Sequence, residues 1–245
     1  MNIEWKGSPN KYMYRMNTEG DIYNPEIHVI HICEGTLDGI DSWFASPKSD
    51  VSTHYCIGKK GEIHQYVSDE HGAWGNGICT NKEWFGNKLH PGVNPNMYTL
   101  SYELEGYSGD IPTEEQFNAL IYIVNLKTEE YEIPRKREYF SGHFMIDPVN
   151  KSRCPGTGFP WTRFYEALKI DYPKSNSEMP VLCMGKKSDD VIFLQKTLQN
   201  KGYNVGNIDG IFGKVTLQAV KAFQSDNNLQ IDGIVGPITW GTLLK

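Results

Sequence analysis

Hydrophobic and polar positions change period several times along this chain, and each change marks an element. Residues 27–33, IHVIHIC, are a short run of mostly β-branched apolar residues, as expected of a buried strand. After the Glu34-Gly35 exit, Leu37, Ile40, Trp43 and Phe44 recur at helical spacing until Pro47 stops the helix. The segment VSTHYCIG-KKG-EIHQYV predicts two strands joined by a Gly-containing turn, a β-hairpin. Residues 72–97, rich in Gly, Asn, Trp and Pro, predict a long loop, and loops of that length in compact domains usually carry function. In YTLSYELE (98–105), Leu100, Tyr102 and Leu104 alternate with Ser101, Glu103 and Glu105, which predicts a strand. Thr113 and Gln116 have capping-box spacing, and Phe117, Leu120, Ile121 and Val124 form one apolar stripe of a helix ending before Pro134. Strand, helix, hairpin, strand, helix predicts an α/β fold with a mixed central β-sheet covered by helices.

The pattern breaks at residues 173–180, PKSNSEMP, a polar stretch with a proline at each end that has the composition of a linker. Beyond it lies an internal repeat. Asp209-Gly210-Ile211-Phe212-Gly213-Lys214-Val215-Thr216 returns as Asp232-Gly233-Ile234-Val235-Gly236-Pro237-Ile238-Thr239. Each Asp-Gly makes a turn and a helix starts just after it. Leu194 and Leu198, then Leu217, Val220 and Phe223, then Trp240 and Leu243 supply inward faces for three short helices. The expected organisation is a domain at 1–172, a linker at 173–180 and a small three-helix domain at 181–245.

Composition narrows the class of protein. The chain has 245 residues, 39% hydrophobic and 12% aromatic, the profile of a globular protein. No apolar run approaches the roughly 18 residues that span a bilayer, so no membrane insertion is expected. The N-terminus, MNIEWKGSPNKYMYRM, lacks a charged start followed by an apolar block, so a secretory signal is not expected. A net charge of −6 disfavours nucleic acid as partner. The charge is uneven: residues 1–172 balance to −8 and residues 181–245 to +2, as two separate bodies would. Five cysteines with no C-x-x-C pair argue against a disulfide framework.

The chemistry concentrates in SGHFMIDPVNKSRCPGTGFPW (141–161). It places His143 and Cys154 on either side of a loop rich in Pro and Gly, and imidazole and thiolate are both good zinc ligands. Two ligands need a third. His28 and His31 cannot both serve, because residues three apart on a strand point to opposite faces. His54 and His64, inside the hairpin, fit a structural role. His71 and His90 fall in or beside the long loop, and His31 ends a buried strand, so all three remain open on spacing alone. A closed structural zinc site with Cys33, on the strand face of His31, is the rival arrangement.

These residues resemble the zinc-dependent N-acetylmuramoyl-L-alanine amidases of the type 2 class, which include phage endolysins and relate to peptidoglycan recognition proteins. The match runs over about residues 24–170, from the I-x-V-I-H ending at His31, through VSTHYCIGKKGEIHQYV and AWGNG, to SYELEG and GHFMIDPVNKSRCPGTGFPW. The residues after the linker are similar to the type 1 peptidoglycan-binding repeat. The resemblance implies one catalytic zinc held by His31, His143 and Cys154, with Glu103 as general base and Tyr55 lining the site. It implies a lysine role for Lys151, with Arg153 as substitute; Ser152 stands two residues before the last ligand, where the family carries its lysine. The family's Trp-His pair is here Trp74-Gly75, and Trp74 is the expected substrate contact. The implied partner is bacterial peptidoglycan, cut between muramic acid and L-alanine, and the implied setting is a phage endolysin or an autolysin acting on the wall. A non-catalytic receptor on the same fold and a stem-peptide endopeptidase are the alternatives.

Overall fold

The buried run at 27–33 becomes the inner strand of a six-stranded sheet in the computed structural model, which describes residues 1–151, 153–156, 158–170 and 179–244. In chain order the elements begin with β1 (Ile3–Trp5), β2 (Lys11–Tyr12), β3 (Ile27–Ile32), α1 (Leu37–Ala45), β4 (Tyr55–Ile57), β5 (Ile63–Gln65) and β6 (Gly72–Ala73). Then come α2 (Phe85–Leu89), β7 (Thr99–Leu104), α3 (Glu114–Glu130), β8 (Phe140–Gly142), α4 (His143–Ile146) and α5 (Trp161–Ala167). The chain ends with α6 (Asp189–Asn200), α7 (Lys214–Asp226) and α8 (Pro237–Leu243).

The sheet order is β1-β5-β4-β7-β3-β8. Only the β4–β5 hairpin is antiparallel, so the sheet is mixed, as the pattern predicts. Both faces are covered, so β3 is buried along its whole length and reads as mostly apolar. On one face Ile30, Tyr55, Leu100 and Tyr102 join Phe117, Leu120 and Val124 of α3 in the main core. On the other, Leu37, Ile40 and Phe44 of α1 pack with Cys56, Tyr66 and Val67.

Thr113 caps α3 by accepting from the Gln116 N–H (3.1 Å). The reciprocal half of the expected capping box is absent, because the Gln116 amide donates instead to the Ile57 and Glu105 carbonyls (2.8 and 3.0 Å), tying the helix to the sheet. The predicted loop at 72–97 contains β6, α2 and a 3-10 turn at Pro95–Met97, all too short for periodicity to reveal. The same holds for β1, which edges the sheet beside β5, and for β2, which pairs with β6.

The repeat in the last third is built on two buried glutamines. Gln195 donates to Asp209 Oδ1, the Ile211 carbonyl and Thr216 Oγ1 (3.0, 3.1 and 3.1 Å). Gln224 makes the same set with Asp232, Ile234 and Thr239 (2.8, 3.0 and 3.3 Å). Gly210 and Gly233 sit at φ +71° and +72°, where a side chain is strained. The repeated Asp-Gly pairs are therefore fold-forming turns. This helical unit packs on the sheet unit: Arg137 pairs with Asp190 and lies over the Phe193 ring (5.1 Å), and Lys196 lies over Phe144 (5.9 Å). Of the expected linker, residues 173–178 lie outside the described residues.

Two histidines are part of the core rather than of any pocket. His28 bonds Tyr102 OH (2.9 Å) and Thr128 Oγ1 (3.0 Å), and His54 Nδ1 accepts from the Ser101 N–H (3.0 Å). Burial drives both imidazoles well below their ordinary value, His28 to about 3, helped at His28 by Arg135 and at His54 by Arg15. The unfolded chain takes up these protons near its ordinary value of 6.5, whereas the native state refuses them until far lower pH. Their contribution is therefore complete above that value and lost as the pH falls, at about 1.4 kcal/mol per pH unit for each group. Urea midpoints measured from pH 7 to pH 4 are expected to fall steadily; a flat profile would contradict neutral burial.

Candidate functional site

The parallel register sets the site. Across β3 and β7, His31 is the partner of Glu103, so both side chains leave the same face at the same height. Gly142 of β8 lies beside Ile30, and the chain then turns into α4, which delivers His143 next to His31. The loop after α4 returns to place Cys154 under the end of β3. There the Ile32 N–H donates to its sulfur (3.4 Å), and the Cys154 carbonyl accepts from the Phe144 N–H (3.0 Å).

His31, His143 and Cys154 thus bring one ligand atom each within 4.8 Å of one another. The two Nδ1 atoms are 2.9 Å apart, and His143 Nε2 lies 2.9 Å from the Asn76 carbonyl. That carbonyl can only accept, so the His143 proton resides on Nε2 and the Nδ1 lone pair faces His31. Two imidazoles and a sulfur at this spacing make a donor set whose residue types suit a tetrahedral cation with soft and borderline ligands. Burial holds both imidazoles neutral, His31 far below its ordinary value and His143 at about 4. The same burial raises the Cys154 thiol, so a cation must displace its proton.

A pocket of about 370 Å³ opens over these groups and is also lined by Glu103, Trp43, Trp74, Gly75, Lys151 and Arg153. Glu103 Oε1 stands 3.9 Å from His31 Nδ1, and its Oε2 is buried without a hydrogen-bond partner. Desolvation, reinforced by Cys33, raises its carboxyl well above the usual range, while Lys151 works against that. The Trp74 indole N–H is also buried and unpartnered. Buried polar atoms are normally satisfied, so orphans clustered at one cavity mark where a ligand or solvent makes the missing bonds.

Comparison with known proteins places this geometry. A family model described as N-acetylmuramoyl-L-alanine amidase matches residues 22–157, and one described as a peptidoglycan binding domain matches residues 187–243. N-acetylmuramoyl-L-alanine amidase A of Achromobacter lyticus is 26% identical over 159 residues, 57% of this chain and 81% of that protein. The 1,6-anhydro-N-acetylmuramyl-L-alanine amidase AmpD of Citrobacter freundii is 31% identical over 129 residues, 53% of this chain and 62% of that one. Spore cortex-lytic enzyme of Bacillus subtilis is 45% identical over 65 residues, but these are only 21% of that enzyme. A solved AmpD derivative superposes with a TM-score of 0.53 at 26% identity, covering 67% of this chain and 93% of that one. A mutant of PlyL reaches 0.51 at 20% identity over 69% of this chain and 99% of its own, a likeness of fold alone.

Not every expected residue reaches the pocket. Tyr55 does not line it. Its partner across the sheet is Tyr102, not Glu103, so its ring lies on the opposite face, stacked on Tyr102 at 5.5 Å. There its hydroxyl donates to Asp69 Oδ1 (2.7 Å). His71 and His90 are also elsewhere: the His71 carbonyl lies 3.1 Å from His54 Nε2, and His90 bonds Glu26 (3.0 Å). Cys33 lines the pocket but sends its thiol to the Gly35 carbonyl (3.3 Å), outside the group of three. Lys151 and Arg153 both line the pocket, and Ser152 lies outside the described residues. Trp43 joins Trp74 at the pocket, whereas Trp84 is fully buried. A Cβ on Gly75 would stand 3.0 Å from the Ser52 carbonyl, so a larger residue here is tightly fitted. Sequence reading also missed Asn76, whose carbonyl orients His143 and whose side chain acts favourably on protonated His31. Because Tyr55 serves the core, Tyr55→Phe is expected to cost about 1–3 kcal/mol in urea unfolding, the toll of leaving Asp69 short of a buried donor. An unchanged unfolding midpoint would contradict a structural role for that bond.

Proposed function

The chain belongs to the N-acetylmuramoyl-L-alanine amidase family, whose model spans more than half of it, and from this we propose that it is a zinc-dependent peptidoglycan hydrolase. It cuts the amide between the lactyl group of N-acetylmuramic acid and the L-alanine of the stem peptide. The observation that carries this reading is one pocket holding three convergent donors, the orphaned Glu103 Oε2 and the orphaned Trp74 N–H. The donor set fits zinc by ligand type, by the lone-pair direction that Asn76 imposes and by the neutral state of both imidazoles.

When bound by His31, His143 and Cys154, zinc supplies Lewis acidity toward water and toward the amide carbonyl. The remaining work falls to the protein. Glu103 accepts a proton from the attacking water through its unpartnered oxygen. Its desolvation makes the ionised carboxylate a strong base, and the neutral acid can then hand that proton to the departing alanine nitrogen. The lactyl carbon gains the water oxygen as its bond to nitrogen breaks. Lys151, whose positive charge is felt by His31, His143, Cys154 and Glu103, stabilises the developing oxyanion, with Arg153 beside it at the rim. Trp74 donates its indole N–H to a carbonyl or hydroxyl of the substrate and offers its ring to an apolar face.

Residues 1–172 act as the hydrolytic unit and residues 181–245 hold it at the wall. A second, weaker attachment in the same chain raises the local concentration of the first. The place of action is the cell wall. Among the described residues no helix is long and apolar enough to cross a membrane.

Digestion of purified peptidoglycan is expected to release new N-terminal alanine amines, and a chelator is expected to abolish that release; chelator-insensitive release, or none, would overturn the reading. Glu103→Gln is expected to keep stoichiometric zinc while turnover falls about a hundredfold to ten-thousandfold. Metal lost along with activity would instead make Glu103 a ligand or a structural support.

A further inference from the structure

The largest cleft described on the molecule is not the one over the metal ligands. A second cleft of about 660 Å³ has one wall made by residues 12–23 and the other by residues 89–97. Its first wall falls almost wholly outside residues 22–157, the part matched by the amidase family model. Its polar groups are held in place. Asn17 donates to Asp21 Oδ2 (2.9 Å) and to Tyr23 OH (3.2 Å), while its own oxygen accepts the N–H groups of Glu19 and Asp21 (3.0 and 2.9 Å). Across the cleft, Asn94 donates to Tyr12 OH (3.1 Å), and the Tyr23 ring meets the His90 ring edge-on at 5.0 Å.

Three properties of this cleft name the chemistry of its ligand. Aromatic rings interleave with amides, hydroxyls and two carboxylates, which suits a molecule with flat C–H faces and a rim of hydroxyl and acetamido groups. The lining includes Glu19 and Asp21 but no Lys or Arg, so it disfavours polyanions. The cleft also lies beside the metal pocket: Tyr12 of its wall meets Trp74 edge-on, with ring centroids 5.8 Å apart at 62°, and Trp74 lines that pocket. Groups already held in place lose little entropy when a ligand arrives, which favours binding of an extended chain at small cost per sugar.

We infer that the N-terminal cleft is an accessory subsite for uncharged N-acetylated glycan, receiving the sugars that flank the muramoyl unit seated over His31, His143 and Cys154. The inference rests on the amidase reading for the direction of the strand. The cleft's affinity for sugar is independent of turnover.

The test titrates the full-length protein calorimetrically with the neutral tetramer of N-acetylglucosamine and compares wild type with Tyr12→Ala and Thr18→Trp. Thr18 is exposed at the cleft mouth, so a tryptophan there fills the cleft from outside without removing a core contact, and this variant decides the matter should Tyr12→Ala unfold. One binding event is expected to weaken about tenfold or more in both variants, and KM is expected to rise by a similar factor on polymeric peptidoglycan but much less on a single disaccharide-peptide. Unaltered titrations, equal KM changes on both substrates, or tighter binding of a glycerol-phosphate polymer than of the tetramer would overturn the subsite. Sugar binding through this cleft by a protein that releases no alanine would instead refute the amidase reading and leave the subsite standing.

Discussion

Everything at the pocket depends on one register, that of β3 against β7 and β8. Pairing His31 with Glu103 sends an imidazole and a carboxylate off the same face at the same end of the sheet, and pairing Ile30 with Gly142 brings His143 alongside. Parallel strands alternate faces with period two, so a slip of one residue would turn Glu103 into the α3 core and bring Tyr102 to the pocket. The apolar residues guard against that slip. Ile30, Leu100 and Tyr102 are fully buried on the far face, and exchanging them for Glu103 and Ser101 would place a carboxylate among hydrocarbon.

The same burial that fixes the register prepares the chemistry. Two histidines kept neutral by desolvation are ready to bind a cation without first losing protons, whereas the Cys154 thiol must be ionised by the cation itself. The Ile32 N–H pointing at that sulfur lowers the cost of the charge. Glu103 is desolvated in the same pocket without being part of the donor set. Burial at one pocket thus moves four groups in two directions, the imidazoles down and the thiol and carboxyl up, and the Asn76 carbonyl orients His143 from one layer out.

Long patterned segments were legible in the sequence: β3, β7, α1, α3 and the repeat that became α7 and α8 all stand where periodicity put them. The mixed sheet followed from their order. The pocket was legible only through a resemblance, since no spacing rule joins His31 to residues 112 and 123 positions away. The Tyr55 expectation failed for a definable reason. The resemblance alone put Tyr55 at the site, and in a strand buried on both faces alternation could not test which face it takes. Trp43 was hidden by the opposite ambiguity, because it fits the helical stripe of α1 yet stays 54% exposed. Asn76 acts on His143 through its backbone carbonyl, and a backbone group leaves no mark in residue type.

The segment least legible in the sequence gives the molecule its second cleft. Residues 1–23 contribute only five residues of strand, too few to stand alone as secondary structure. They hold because β1 and β2 borrow partners from β5 and β6, and because Arg15 reaches inward to donate to the carbonyls of Asp69, Met97 and Thr99. Burying a guanidinium costs several kcal/mol unless its donors are satisfied, so these bonds fix the segment to one place. Arg15 is thereby the pin that fixes Tyr12 on one side of it and Asn17 on the other. A polymer held at one bond needs its neighbouring units held too. A rigid N-terminal wall joined to Trp74 supplies that hold beside the reacting bond, where a second attachment far along the chain cannot.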